Sequence, residues 1–153
     1  MTEIILMAHV FFGVACVLAS GWVFVDTLNV RDATLGRVRL ASRAAAVFMW
    51  LNFFLGGYWY VVFYKVDKAI ILKGPWPFAH NFFMETKEHL VITLLLIVSY
   101  LPIAAANNLA ANRDARRLVL FVAAAAALLA LFTEGEGAII AMGVKAGLLA
   151  QPH

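Results

Sequence analysis

Four long apolar stretches dominate this chain. The first runs from about Ile4 to Leu28 and the second from about Ala41 to Tyr64. The third covers about His89 to Ala106 and the fourth about Leu118 to Phe132. A helix needs ~20 residues to cross the hydrocarbon core of a bilayer. The third and fourth reach that length when a turn of polar residues at their ends is included, giving helices over about 78–106 and 115–133. A backbone in lipid must satisfy its own hydrogen bonds, and no alternating strand pattern is present, so the spans are helices. The expectation is an all-α integral membrane protein: a single four-transmembrane-helix bundle, with a short apolar tail helix over about 138–149.

Composition agrees. Of 153 residues, 64% are hydrophobic and only 14% charged. A soluble domain carries roughly 45–50% apolar and about 25% charged residues. A chain this small keeps much of its surface exposed and cannot hide the excess from water. The net charge of +3 does not point to nucleic acid, because the basic residues flank apolar runs and report topology instead. No phosphate loop, CxxC, CxxCH, HExxH or GxSxG pattern occurs. The single cysteine, Cys16, excludes an intrachain disulfide. The opening Met1-Thr2-Glu3 lacks the positive start of a signal peptide, so the first stretch reads as a retained helix.

The connections carry the sidedness. Arg31, Arg37, Arg39 and Arg43 lie between the first two spans, and Arg113, Arg116 and Arg117 between the last two. The five lysines, Lys65, Lys68, Lys73, Lys87 and Lys145, fall on the opposite side. Short arginine-rich loops face the cytoplasm. Both termini and the long connection from Lys65 to Lys87 are therefore expected outside, which in a bacterial inner membrane is the periplasm. Gly74-Pro75-Trp76-Pro77 breaks that connection, and Glu134-Gly135-Glu136-Gly137 reads as a break before the tail helix.

Ionisable residues in membrane helices are costly and usually have a job. The outer side collects His9, His80, Glu85, Glu88, His89, Glu134 and Glu136. His9 lies about two turns into the first helix and His89 about three turns into the third. Two imidazoles at one depth, facing each other across the bundle, are the axial pair of a b-type haem. Gly13, one turn beyond His9, opens room for the ring. Glu85 and Glu88 would then accept protons as quinol is oxidised. His80, nine residues before His89, falls on the opposite face and is the less favoured ligand, and His153 is terminal. Alternatives stay open. His9, Glu85 and His89 make a His/carboxylate set for copper, zinc or iron, but the spacing Glu85-x-x-x-His89 is not the Glu-x-x-His of di-iron bundles. His89 pairing with Glu85, and His9 with a carbonyl, would leave a cofactor-free structural subunit.

The four-helix plan with outer histidines resembles the membrane cytochrome b subunits of respiratory oxidoreductases, in architecture and not in motif. That resemblance implies a subunit relaying electrons between the quinone pool and membrane or periplasmic redox partners through one haem b, and not an enzyme alone.

Overall fold

The computed structural model describes residues 2–151; His153 lies outside them. The described residues form helices joined by short turns. Helix α1 spans Thr2–Leu28, α2 Leu35–Val62, α3 Tyr64–Lys73, α4 Glu85–Ala105 and α5 Arg113–Leu149. A 3₁₀ turn at Asp32–Thr34 precedes α2, and a π-helical segment at Ala79–Met84 runs directly into α4. Four helical stretches, 3–28, 32–62, 79–105 and 113–149, are long and apolar enough to cross a membrane.

Helix α1 packs on α2 and α5, and α4 packs on the same two. The spans thus form a ring in the order α1, α2, α4, α5, with α1 and α4 on one diagonal. Small side chains make the contacts. Ala123, Ala126 and Ala130 of α5 are buried, while Phe121, Leu128 and Leu131 of the same helix are exposed. Large apolar groups on the outside and small ones between helices suit lipid, where backbones gain by close approach. Cys16, Val23, Met49, Leu94, Val98 and Leu101 complete the core.

Two expectations about helix ends change. The arginine-rich stretch before the second span is mostly helix, because α2 begins at Leu35 and carries Arg37, Arg39 and Arg43. Those arginines have structural partners. Arg39 donates to the carbonyls of Ala105 and Ala106 at the end of α4 (3.4 and 3.0 Å). Arg116 donates to the carbonyls of Thr27 (3.0 Å) and Leu28 at the end of α1. The last carbonyls of a helix have no intrahelical partner, so each guanidinium caps a helix across a loop. Arg37 holds Asp26 through two nitrogens, at 2.7 and 3.1 Å. Hydrogen bonds to charged groups contribute about 1.5–3 kcal/mol. Arg39→Ala and Arg116→Ala should each lower unfolding stability in detergent by about 1–2 kcal/mol at these partly exposed sites, read as a lowered thermal midpoint.

The second change concerns Glu134-Gly135-Glu136-Gly137, which does not break the chain. Helix α5 runs through it for 37 residues, so the fourth span and the tail are one helix. In lipid an interrupted backbone has no water to bond, and continuity wins over the low helix propensity of glycine.

At the far end from the arginines, α3 lies against the last turns of α5. A Cβ on Gly147 would sit 2.6 Å from the Ile70 carbonyl oxygen, and one on Gly143 2.6 Å from the Ala79 Cβ. Gly143 and Gly147, one turn apart, form the groove that seats α3 and the start of the π-helical segment. Both described chain ends and α3 thus share one end of the bundle, called here the α3 end.

Candidate functional site

Between the four spans, toward the α3 end, lies a cavity of about 500 Å³. Its walls are mostly apolar, with Leu6, Val10, Phe53, Met84, Val91 and Ile140 among them. Met7, Val10 and Tyr60 at its edge are exposed on the bundle surface. Into this wall project His9 from α1, Asn52 and Tyr60 from α2, Lys87 and Glu88 from α4, and Glu134 from α5.

Each polar group is set by its helix neighbours. His9 Nδ1 lies 2.9 Å from the Asn52 carbonyl oxygen. A carbonyl only accepts, so Nδ1 carries the proton and the neutral ring keeps its lone pair on Nε2. The imidazole fits because Gly56, one turn beyond Asn52, has no side chain; a Cβ there would lie 2.5–2.6 Å from Cε1 and Nδ1. The same device recurs twice. The Glu134 carboxyl occupies the space a Cβ on Gly13 would take, and the Lys87 ammonium lies 2.8 Å from where a Cβ on Gly137 would be. Three glycines on three helices are therefore sockets for the polar heads of neighbouring helices.

Lys87 is the cation among these carboxylates, close enough to interact with both Glu134 and Glu136. Glu136 is 1% exposed, and neither of its carboxylate oxygens has a hydrogen-bond partner. Three further buried atoms around the cavity also lack one: Asn52 Oδ1, Trp59 Nε1 and Glu88 Oε1. Asp67 of α3 lies at the cavity edge, and burial pushes its carboxyl above the usual range.

The sequence-predicted residues divide. His9 and Glu88 line the cavity. His89 does not face His9 across the bundle: it is exposed, on the outward side of α4, with Nδ1 2.6 Å from the Glu85 carbonyl of its own helix. The inward side of α4 at this depth presents Lys87 and Glu88 instead. Gly13 does not open room for a ring, because Glu134 fills that space. Glu85 is not in the cavity; its half-exposed carboxylate lies 3.6 Å from His80 Nε2. His80 is 3% exposed and its Nδ1 is 3.0 Å from the Tyr64 hydroxyl. Among the described residues, no three His, Cys, Asp or Glu side chains converge on a point where a metal ion would sit, so His9, Glu85 and His89 do not form the His/carboxylate set.

Asn52, Gly56 and Lys87 are not singled out from sequence as site residues, and Glu134 and Glu136 only as members of the outer ionisable set. The signal available was a lysine and two glutamates inside apolar context, each with a glycine nearby along the chain or on a facing helix.

The fold and this cavity define a class, a multi-pass helical membrane protein with a polar-edged chamber between its spans. Compared with protein-family models, curated proteins and solved structures, the chain matches none.

Proposed function

We propose that this chain is a membrane subunit of an oxidoreductase complex that binds a lipid-soluble quinol in the cavity and receives its protons. The observation that carries the reading is the set of cavity side chains left without partners. Asn52 Oδ1 and Glu88 Oε1 need donors, and Trp59 Nε1 needs an acceptor. A buried polar atom without a partner costs about 1–3 kcal/mol. The hydroxyls of a quinol both donate and accept, so its ring supplies both kinds of group after a small side-chain rotation. The apolar walls suit the rest of such a molecule, and about 500 Å³ lies within the usual ~300–1,000 Å³ of small-molecule sites.

In this reading the quinol loses two protons and two electrons and leaves as quinone. His9 Nε2 offers a lone pair to one hydroxyl proton and the Glu88 carboxylate takes the other. The two electrons pass singly to a haem, copper or iron–sulfur centre of a partner subunit. The spans are joined only by two short turns and the segment that carries α3, so the chain needs such a partner.

Haem b is the second reading, favoured by His9 itself. An imidazole whose Nδ1–H is fixed on a carbonyl has the tautomer and orientation of a metal ligand. His9 would hold the iron from one side, with no role for His89. A haem periphery offers carboxylate acceptors, which would satisfy Trp59 but give Glu88 Oε1 no donor. The fit is therefore poorer.

The test uses purified protein in lipid nanodiscs with decylubiquinone as probe, read by quenching of tryptophan fluorescence. His9→Ala and Glu88→Gln should each weaken binding by about tenfold or more, the equivalent of one hydrogen bond to a charged group. His89→Ala should bind as the parent does. Equal affinity in all three variants sinks the quinol reading. A Soret band lost on His9→Ala moves the assignment to haem.

The side follows from the arginines. We place the arginine turns in the cytoplasm and the α3 end, with the cavity, on the outer face of a bacterial inner membrane. Cys16 is buried, so cysteines introduced at Ala33 and Lys68 report without background. An impermeant thiol reagent added to intact cells should label Lys68→Cys and spare Ala33→Cys; the opposite pattern reverses the orientation.

A further inference from the structure

Next to the cavity, on its α3 side, a second set of polar groups is assembled by the π-helical segment. In a regular α-helix, residues five apart point about 140° away from each other. In the wider π turn the Glu85 N–H bonds to the His80 carbonyl, so the two residues stack along one side. That register brings the Glu85 carboxylate to 3.6 Å from His80 Nε2. Single π turns inside α-helices are rare and often mark functional sites.

The contacts run on in both directions. His80 Nδ1 is 3.0 Å from the Tyr64 hydroxyl. The ring of Tyr64, 2% exposed, stacks on Tyr60 with centroids 5.2 Å apart. Tyr60 and Glu88 both line the cavity, and Glu88 is close enough to interact with both phenols. At the other end, the Glu85 side chain is 51% exposed. A series of proton-bearing groups therefore leads from the cavity wall to the surface at the α3 end.

We propose that Tyr64, His80 and Glu85 form a proton path between Glu88 in the cavity and the water at the α3 end. The path rests on the quinol reading for the source of its protons, not for its existence. The Glu85 carboxylate only accepts and lies 3.6 Å from Nε2, so the tautomer the path uses is the one with the His80 proton on Nε2. Nδ1 is then the acceptor, and the Tyr64 hydroxyl donates to it. In one transfer the phenol proton moves to Nδ1, the Nε2 proton moves to Glu85, and Glu85 releases its proton to water. In the same concerted transfer Tyr64 takes a proton from Glu88 by way of Tyr60, so no phenolate forms. One proton crosses and every group returns to its starting charge; the ring then carries its proton on Nδ1, and the starting tautomer returns by proton exchange with water, one proton lost from Nδ1 and one gained at Nε2. Lys68 of α3, and Glu85 and Glu88 of α4, are the charged groups acting on His80. Burial, then Tyr60 and the nearby carboxylates, hold the Tyr64 phenol well above its ordinary range, so it carries protons as a neutral hydroxyl and not as a phenolate.

The test needs no quinone. The chain in nanodiscs is given a rapid pH jump, and the carboxyl stretch that disappears in Glu88→Gln is followed by time-resolved infrared spectroscopy. Tyr64→Phe keeps the ring stack and removes only the hydroxyl; it should slow the response of Glu88 at least tenfold. His80→Phe should do the same, and Glu85→Gln should slow it in the same direction. None of the three residues lines the cavity, so decylubiquinone affinity should stay at the parental value. An unchanged rate in Tyr64→Phe and His80→Phe overturns the path, as does a Glu88 band that never follows external pH. A parent that conducts protons but binds no decylubiquinone retains the path and loses the quinol reading.

Discussion

Gly147→Val is expected to lift α3 off α5 and open the α3 end of the bundle. A Cβ at Gly147 would lie 2.6 Å from the Ile70 carbonyl oxygen and 2.7 Å from Ile70 Cγ2, and one at Gly74 would lie 2.7 Å from the Gly147 Cα. The obstructing atoms are largely backbone, and backbone on a packed helix cannot rotate away. Overpacking of this kind costs about 1–3 kcal/mol and sometimes more. Here the cost can be relieved only by separating α3 from α5, since α5 is held along its length by α1 and α4. The expected result is fast tryptic cleavage between Lys65 and Lys73 in nanodiscs, with the four spans still folded by circular dichroism. Gly135 is the control. It lies in the same helix with nothing within 4 Å of a Cβ, so Gly135→Ala should leave proteolysis unchanged and raise stability by up to ~1 kcal/mol through helix propensity. Equal protease resistance in Gly147→Val and the parent would show that the contact between α3 and α5 is not held by this groove.

The loss of α3 would reach the site. Tyr64 begins α3, and its hydroxyl is the partner of His80. The same apolar cluster joins Tyr64 and Ile71 to Ala79, Met84 and Ile140. Docking of α3 therefore fixes the π-helical segment as well as its own length.

The spans were legible in the sequence because their signal is length, and lipid enforces it. Rotation about each axis was not. In water the apolar stripe of a helix marks its inward face, but in a bilayer both faces are apolar and the stripe vanishes. His89 shows the consequence. Its depth can be counted from Pro77, but which way it points depends on how Leu94, Leu95, Val98 and Leu101 bury the opposite side of α4. The π turn at Ala79–Met84 adds a shift of register that no residue type announces. His9 lines the cavity and bonds a carbonyl, one of the alternatives the sequence leaves open; the socket at Gly56 lies far along the chain and has no local mark. Glu134-Gly135-Glu136-Gly137 reads as a break for a related reason, although α5 runs through it. As a loop it is four flexible or polar residues. In α5 its members divide the work: Glu134 enters the Gly13 socket, Gly135 faces open space, Glu136 is buried, and Gly137 leaves room for Lys87. Only the packing of α1 and α4 against α5 gives the residues those roles.

Lys87→Met is expected to destabilise the bundle more than any other single change in the cavity. Methionine matches the lysine stem in length and apolar character, so packing against Gly137 is largely kept. What disappears is the cation facing Glu134 and Glu136. Glu136 has no hydrogen-bond partner to replace it, and Glu134 sits in a glycine socket that admits little movement. Removing the cation leaves the buried carboxylates with less opposite charge nearby, which destabilises the bundle. The cost should fall sharply when the carboxylates are removed with it. Lys87→Met combined with Glu134→Gln and Glu136→Gln should recover most of the parental thermal midpoint, since neutral amides of the same shape need no counter-charge. Such non-additivity is the mark of groups that act through one another. Thermal unfolding of the four proteins (parent, Lys87→Met, Glu134→Gln with Glu136→Gln, and the triple variant) in one detergent supplies the cycle. If the triple variant is as unstable as the sum of its parts, Lys87 supports the bundle through its stem and not through its charge.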